Sequence, residues 1–226
     1  MQTTAGRRSR AACEGVYNRI VKRGLDILIS AVALSLLWPV YLLIGLLIAV
    51  GDGFPVLYRA ERGGYRGKSF RICKFRTMVK NAEQLGGGTT ALHDPRITRI
   101  GNFLRKTKLD ELPQLFQVLT GKMSLVGPRP ELMRYVQAYT GEETQILMVR
   151  PGITDFSSVA FIDLDELVGE ENADEVYETK VLKKKNALRL HYAQTVSFRT
   201  DARILGQTVG AVLKKASGYI FRKEHR

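Results

Sequence analysis

The chain has 226 residues, with 35 Lys and Arg against 22 Asp and Glu, and a formal net charge of +13. A composition that is 45% hydrophobic and 25% charged excludes a disordered tail, a collagen-like repeat and a multi-span transporter. The length suits one domain with an appended element, and the charge points to an anionic partner: nucleic acid, an acidic lipid surface or a phosphorylated substrate.

A basic N-terminal segment, residues 1–24, carries Arg7, Arg8, Arg10, Arg19, Lys22 and Arg23. Residues 25–52 follow as a membrane helix whose core, Ile27 to Val50, is 24 residues without a charge. That is long enough to cross a hydrocarbon layer, which takes about 20 residues. The run is too long, and starts too far behind basic sequence, for a cleaved signal peptide. Pro39 sits near its middle, where it removes a backbone donor and kinks a helix. Both flanks are net positive, the second through Arg59, Arg62, Arg66, Lys68, Arg71, Lys74 and Arg76. The positive-inside rule would keep both flanks in the cytoplasm, which a re-entrant helix broken at Pro39 satisfies and a straight span does not. A single kinked span is the alternative.

Residues 53–226 read as a cytoplasmic domain. Val56–Glu61 and Phe70–Arg76 have strand character around the glycine-rich turn RGGYRGKS, which predicts a β-hairpin. Gly63, Gly67, Lys68 and Ser69 approach a phosphate-loop pattern, but the spacing is one residue short and a strand follows, so that reading fails. Lys80–Asp94, with Gly86, Gly87 and Gly88, reads as a loop after a short helix. Ile97, Ile100, Phe103 and Leu104 then recur at helical spacing beside Arg96, Arg99, Arg105, Lys106 and Lys108. This fits an amphipathic helix lying in the membrane interface, or else a basic helix packed on a core.

Leu109–Leu119 predicts a further helix with Pro113 in its first turn, placing Asp110 and Glu111 at its positive end. Among so many cations the two acids are either solvated ion pairs or a metal ligand and a nucleophile beside phosphate-binding residues. Two rigid turns, SLVGPRP and VRPGIT, carry Arg129 and Arg150, whose guanidinium forks suit phosphate. Residues 155–178 then hold nine acids and no Lys or Arg. Asp163 and Asp165 hint at metal, although no EF-hand register follows, and a solvated acidic helix or loop is the expectation. Helical patterning returns over 179–215, and the tail ends basic. Cys13 and Cys73 stand apart without metal-ligand neighbours, as free thiols in a reducing compartment.

Taken together, these segments resemble the bacterial sugar transferase family, the monotopic phosphoglycosyl transferases. The likeness covers roughly Arg19 to Val212. It rests on KRGLDILIS, PVLY, FRICKFRTM, ITRIGNFLRKTKLDELPQLFQVLTGKMSLVGPRPE and VRPGIT, with a weaker match in HYAQTVSFRTDARIL. The resemblance implies transfer of a sugar-1-phosphate from a UDP-sugar to undecaprenyl phosphate, releasing UMP, as the first membrane step of a glycan pathway. It implies a mainly α α+β fold with a Pro-broken re-entrant helix, a small β-hairpin and interface-lying helices around a compact catalytic domain. The site would face the cytoplasmic side of the bacterial inner membrane. By motif, Asp110 matches the nucleophile and lies beside Mg²⁺, and Glu111 matches its catalytic partner. Lys74, Arg76, Arg105, Arg129 and Arg150 are the expected substrate-binding positions. Partners would be the UDP-sugar, undecaprenyl phosphate and membrane lipid, with no nucleic acid and a homodimer left open. Two departures stand out: Trp38-Pro39 where the family often has Ser-Pro, and Asp155-Phe156 where many members have Gly-Trp, without the later NGR. A non-catalytic scaffold of the same fold and a membrane-anchored nucleic-acid binder are the competing expectations, and no helix-turn-helix, RNP or zinc pattern supports the latter.

Overall fold

A computed structural model describes Cys13 and residues 15–224, with side chains to Ser217. Arg7, Arg8 and Arg10 of the basic N-terminal segment, and the last basic residue, Arg226, lie outside the described residues. The fold is α+β and mainly helical. A π-helical turn, Tyr17–Val21, leads into α1, Lys22–Gly51. The hairpin strands β1, Leu57–Gly63, and β2, Ser69–Phe75, follow, and then α2, Arg99–Thr107. A 3₁₀ turn, Leu109–Glu111, precedes α3, Gln114–Leu119, and β3, Ser124–Val126. Next come α4, Met133–Gln137, β4, Gly152–Thr154, and three short helices: α5, Phe156–Ala160, α6, Leu164–Val168, and α7, Ala173–Val176. Two longer helices close the chain, α8, Leu182–Thr195, and α9, Phe198–Glu224. β1 and β2 pair antiparallel with Tyr58 opposite Lys74, whereas β3 and β4 form a separate parallel pair.

Helix α1 has 30 residues, about 45 Å at 1.5 Å per residue. Pro39 lies inside it and deprives the Ser35 carbonyl of its helical donor. Large apolar side chains stand exposed along its length, among them Leu28, Leu36, Trp38, Leu42, Leu46 and Val50. Yet the helix is tied to the rest of the chain at both ends. Near its start, Arg23 donates to the Val118 and Leu119 carbonyls, and Asp26 accepts from the Leu125 amide at 3.0 Å. Tyr41 donates to the Leu112 carbonyl at 2.5 Å. Beyond its end, Asp52 accepts from Thr98 at 2.7 Å.

Ile44 and Ile48 of α1 share a core with Phe75, Leu104 and Ile100. Each such buried side chain contributes about 1.5–3 kcal/mol. The apolar stripe of α2 is therefore turned inward: Leu104 is 2% exposed, and Phe103, at 45%, is the large apolar side chain this helix leaves open. That favours the basic, core-packed helix over a stripe facing lipid. α2 starts on Thr98, whose hydroxyl accepts from the Gly101 amide, and ends where Lys108 turns left-handed at φ 59°.

Three further expectations change. The predicted helix over 109–119 is instead a 3₁₀ turn followed by the short α3, because Pro113 forms the corner between them. The acidic segment is not one solvated run: Asp155 is fully buried, and Tyr177 anchors a second core with Tyr135, Val168 and Val181. Asp163 and Asp165 do not form a metal pair. Lys215 of α9 bridges them, at 2.6 and 3.7 Å. Neither cysteine is in a disulfide.

Candidate active site

Three segments meet at Glu111. Lys74 projects from β2, Asp110 and Glu111 from the 3₁₀ turn, and Arg129 from the loop after β3. Lys74 Nζ lies 3.0 Å from Glu111 Oε1. Arg129 Nη1 donates to Glu111 Oε2 at 2.8 Å, and its Nη2 donates to Oε1. Both carboxylates are buried.

The scaffolding that aims these groups is visible. The Gln117 amide on α3 clasps β2, accepting from the Cys73 amide at 2.9 Å and donating to the Arg71 carbonyl at 2.7 Å. This fixes the strand that carries Lys74 against the segment that carries Asp110 and Glu111. Arg129 is held by the Ile153 carbonyl at 3.0 Å, and its amide donates to Asp155 at 3.2 Å. Asp155 in turn caps α5, accepting from the Ser158 amide at 2.7 Å and from the Ser157 and Ser158 hydroxyls. The loop can lie flush on β4 because Gly127 has no side chain: a Cβ there would overlap the Arg150 carbonyl and Gly152.

The two acids occupy unlike electrostatic environments. Burial drives the Asp110 carboxyl above its ordinary pKa, Lys74 opposes that rise, and the Glu111 charge adds to it. Burial acts on Glu111 too, but Arg129 and then Lys74 overcome it and hold this carboxyl well below the usual range. Burial pushes the Lys74 and Lys108 amines down, against the pull of Glu111. Glu111 is thus a fixed anion locked among cations. Asp110 is the acid with capacity to spare, since its Oδ1 is buried without a hydrogen-bond partner. The amide of Gln114, four residues on, is fully buried and likewise unpartnered at both ends.

The expected site residues divide. Lys74, Asp110, Glu111 and Arg129 come together, and Arg105 acts electrostatically on Asp110. Arg76 does not join them through any hydrogen bond. Its Nη2 donates to the Asp52 and Gly53 carbonyls, so it closes the end of α1, while its Nε and Nη1 are buried without partners. Arg150 also turns elsewhere, donating to the Gly121 carbonyl at 3.2 Å with its guanidinium 5.5 Å from the Tyr65 ring centre. Gln117 and Asp155 are the supporting residues that sequence reasoning missed. The spacing of Asp155 to two following serines, a helix-capping signal, could have revealed the second.

No group of three or more His, Cys, Asp or Glu side chains that could hold a metal occurs among the described residues. A hard cation such as Mg²⁺ needs no such cage, because one or two carboxylates, water and substrate phosphates commonly complete its shell. The free Asp110 Oδ1 fits that role.

Comparison with known proteins adds an independent line. A family model described as bacterial sugar transferase matches residues 17–215. The chain is 34% identical over 217 residues to the UDP-galactose-lipid carrier transferase of Erwinia amylovora, covering 89% of this chain and 42% of that protein. It is 34% identical over 215 residues to the exopolysaccharide production protein ExoY of Sinorhizobium fredii, covering 88% of each. The UDP-glucose:undecaprenyl-phosphate glucose-1-phosphate transferase of Escherichia coli K12 is 40% identical over 147 residues, which are 63% of this chain and 31% of that protein. The chain therefore spans less than half the length of the Erwinia and Escherichia proteins.

Proposed function

The chain belongs to the bacterial sugar transferase family, and we propose that it is a membrane-bound phosphoglycosyl transferase acting on a UDP-sugar and undecaprenyl phosphate. It transfers a sugar-1-phosphate and releases UMP, in the first membrane step of exopolysaccharide, O-antigen, capsule or glycoprotein glycan assembly. The observation that carries this reading is the asymmetry of the acid pair: Glu111 is locked by Arg129 and Lys74, while Asp110 beside it keeps a free, buried oxygen.

Asp110 attacks the sugar-bearing phosphorus of the donor. A bond forms from its carboxylate oxygen to that phosphorus, and the bond to the bridging oxygen breaks, releasing UMP. A phosphate oxygen of undecaprenyl phosphate then attacks the same phosphorus and frees Asp110. Two displacements let a soluble and a lipid substrate use one site in turn. Lys74, Arg129 and Arg105 supply the positive field without which a carboxylate could not approach a diphosphate. Mg²⁺ held by Asp110 would screen the phosphate charge further.

The membrane reading follows from α1. Its ends are both fastened to one globular part, through Asp26 on one side and Asp52 on the other, which supports a helix that dips into the cytoplasmic leaflet of the inner membrane and returns. The side chain of Tyr41, bonded just past Pro39, gives the return half a contact near its start. Backbone freed by Pro39 at that depth has to be satisfied by packing.

One assay tests the reaction: purified protein, Mg²⁺, undecaprenyl phosphate and a panel of UDP-sugars, read by UMP release. Wild type releases UMP with at least one donor and Asp110→Asn does not. Failure with every donor removes the enzyme reading, and an active Asp110→Asn removes the nucleophile. For topology, single cysteines replacing the exposed Arg19 and Arg59, in a background lacking Cys13 and Cys73, both label from the cytoplasm. Labelling from opposite sides restores the straight span.

A further inference from the structure

Lys185 lies on α8, one turn before Arg189. It is only 7% exposed, and its ammonium has no hydrogen-bond or ion-pair partner among the described residues. The ammonium lies over the ring of Tyr177, with Nζ 5.1 Å from the ring centre. The carboxylate that acts most strongly on it is already engaged: Glu131 accepts from Arg189 at 2.8 Å and from the Tyr177 hydroxyl at 2.5 Å. Arg189 itself is 1% exposed and closes its other arm on Asn186. A buried ammonium without an acceptor of its own carries a desolvation cost, which Glu131, Asp155 and the Tyr177 ring offset only in part.

The position of this unmatched cation matters. The charged groups that act on it are Arg189, Glu131, Arg129 and Asp155. Two of these, Arg129 and Asp155, belong to the assembly that steadies Glu111. Asp155 is itself saturated by Ser157, Ser158 and the Arg129 amide, so it offers Lys185 little. Counted with Glu111, which Arg129 grips, and with Lys74, the second partner of Glu111, the cluster holds four cations, Lys74, Arg129, Lys185 and Arg189, against three carboxylates, Glu111, Glu131 and Asp155, each already taken by other donors.

We propose that Lys185 is a further phosphate-binding residue of the donor site, its ammonium hydrogen-bonding a phosphate oxygen of a nucleoside diphosphate alongside Arg129. This rests on the donor reading of the Asp110 site and extends it to a residue 75 positions away in sequence. An incoming diphosphate brings the acceptor that Lys185 lacks, and its charge satisfies the excess of cations. Burial, and then Arg189, push the free Lys185 amine down to about 7, so at neutral pH and above the ligand draws a proton onto it. Arginine in its place would stay charged throughout this range.

The test uses the full chain in detergent with UDP as the probe, which has the diphosphate but no sugar to transfer. Calorimetry at pH 8 gives affinity and, in buffers of different ionisation enthalpy, proton uptake. Lys185→Met weakens UDP binding about tenfold or more, the cost of losing one charge-assisted hydrogen bond. Lys185→Arg restores most of it but takes up fewer protons than wild type, by up to about one. Between pH 7 and pH 9 the affinity of wild type falls more steeply than that of Lys185→Arg. The exposed Lys184→Met, on the same helix, binds like wild type. Unchanged affinity in a folded Lys185→Met overturns the proposal. So does a loss that tracks lowered thermal stability and that arginine fails to rescue. If wild type itself does not bind UDP, the donor reading falls together with this one; if it binds and the Lys185 variants match it, only this one falls.

Discussion

Arg129 grips Glu111 with both arms of its guanidinium, Nη1 on Oε2 at 2.8 Å and Nη2 on Oε1, while its own amide is fixed by Asp155. The planar fork matters here as much as the charge. Lysine at this position keeps the charge but can offer only a point contact, and Glu111 then shifts toward Lys74. Arg129→Lys is expected to lower kcat/KM about 10- to 100-fold, the scale of one charge-assisted hydrogen bond. Steady-state UMP release measures it, and a variant within twofold of wild type would show that the fork is dispensable.

The acid pair predicts stability changes of opposite sign. Asp110 has a folded pKa above its unfolded value, so its favourable contribution exists below the unfolded pKa and is lost as pH rises through the folded one. At neutral pH the buried carboxylate is a burden, and Asp110→Asn raises Tm while abolishing transfer, as expected of a site strained for function. Glu111 is the reverse: its folded pKa is depressed, so its contribution is present above the unfolded pKa and is lost as pH falls through the folded one. Glu111→Gln at neutral pH leaves the partly buried Arg129 and Lys74 without this anion, a cost of up to about 3 kcal/mol, the low end for a buried pair. Thermal unfolding in detergent at pH 7 decides both, and two shifts of the same sign would contradict this account.

Under the proposed mechanism the acid limb of the pH–rate profile reports Asp110, which can attack only as the carboxylate. Because burial lifts its pKa, the limb lies above the ordinary aspartate range. Lys74 opposes the rise and Glu111 adds to it. Residual activity in Lys74→Met therefore falls off at higher pH than in wild type, and in Glu111→Gln at lower pH. The direction of the shift between variants is the readout, since titration of substrate phosphates is common to all three enzymes.

What the sequence displayed well was contiguous. The apolar run 27–50, the hairpin around RGGYRGKS and the acids of LDEL all declare themselves within a few residues, because periodicity, turn chemistry and local charge act over that distance. The partners of those groups do not. Nothing local shows that Asp155 holds the Arg129 amide, that Gln117 clasps β2, or that Lys215 fills the gap between Asp163 and Asp165. Arg76 and Arg150 illustrate the converse. Both sit in motifs rich in phosphate-binding chemistry, yet Arg76 donates to the Asp52 and Gly53 carbonyls and Arg150 to the Gly121 carbonyl, contacts that nothing in those motifs announces.

A long-range brace joins α1 to α9. Lys22 Nζ, in the first turn of α1, lies 2.5 Å from Asp201 Oδ2 on α9, and both side chains are buried. The hydroxyls of Tyr17 and Tyr192 donate to the same carboxylate, each at 2.7 Å. Breaking such a pair from either side strands a buried charge, at about 3–5 kcal/mol, or roughly 6–20 °C in Tm for a chain of this size. Removing both charges leaves no stranded ion, so Lys22→Met with Asp201→Asn costs clearly less than the sum of the single changes. A thermal-unfolding double-mutant cycle in detergent measures the coupling. Strict additivity would mean that the two residues act independently and that α1 is seated by its apolar contacts and by Arg23, Asp26, Tyr41 and Asp52.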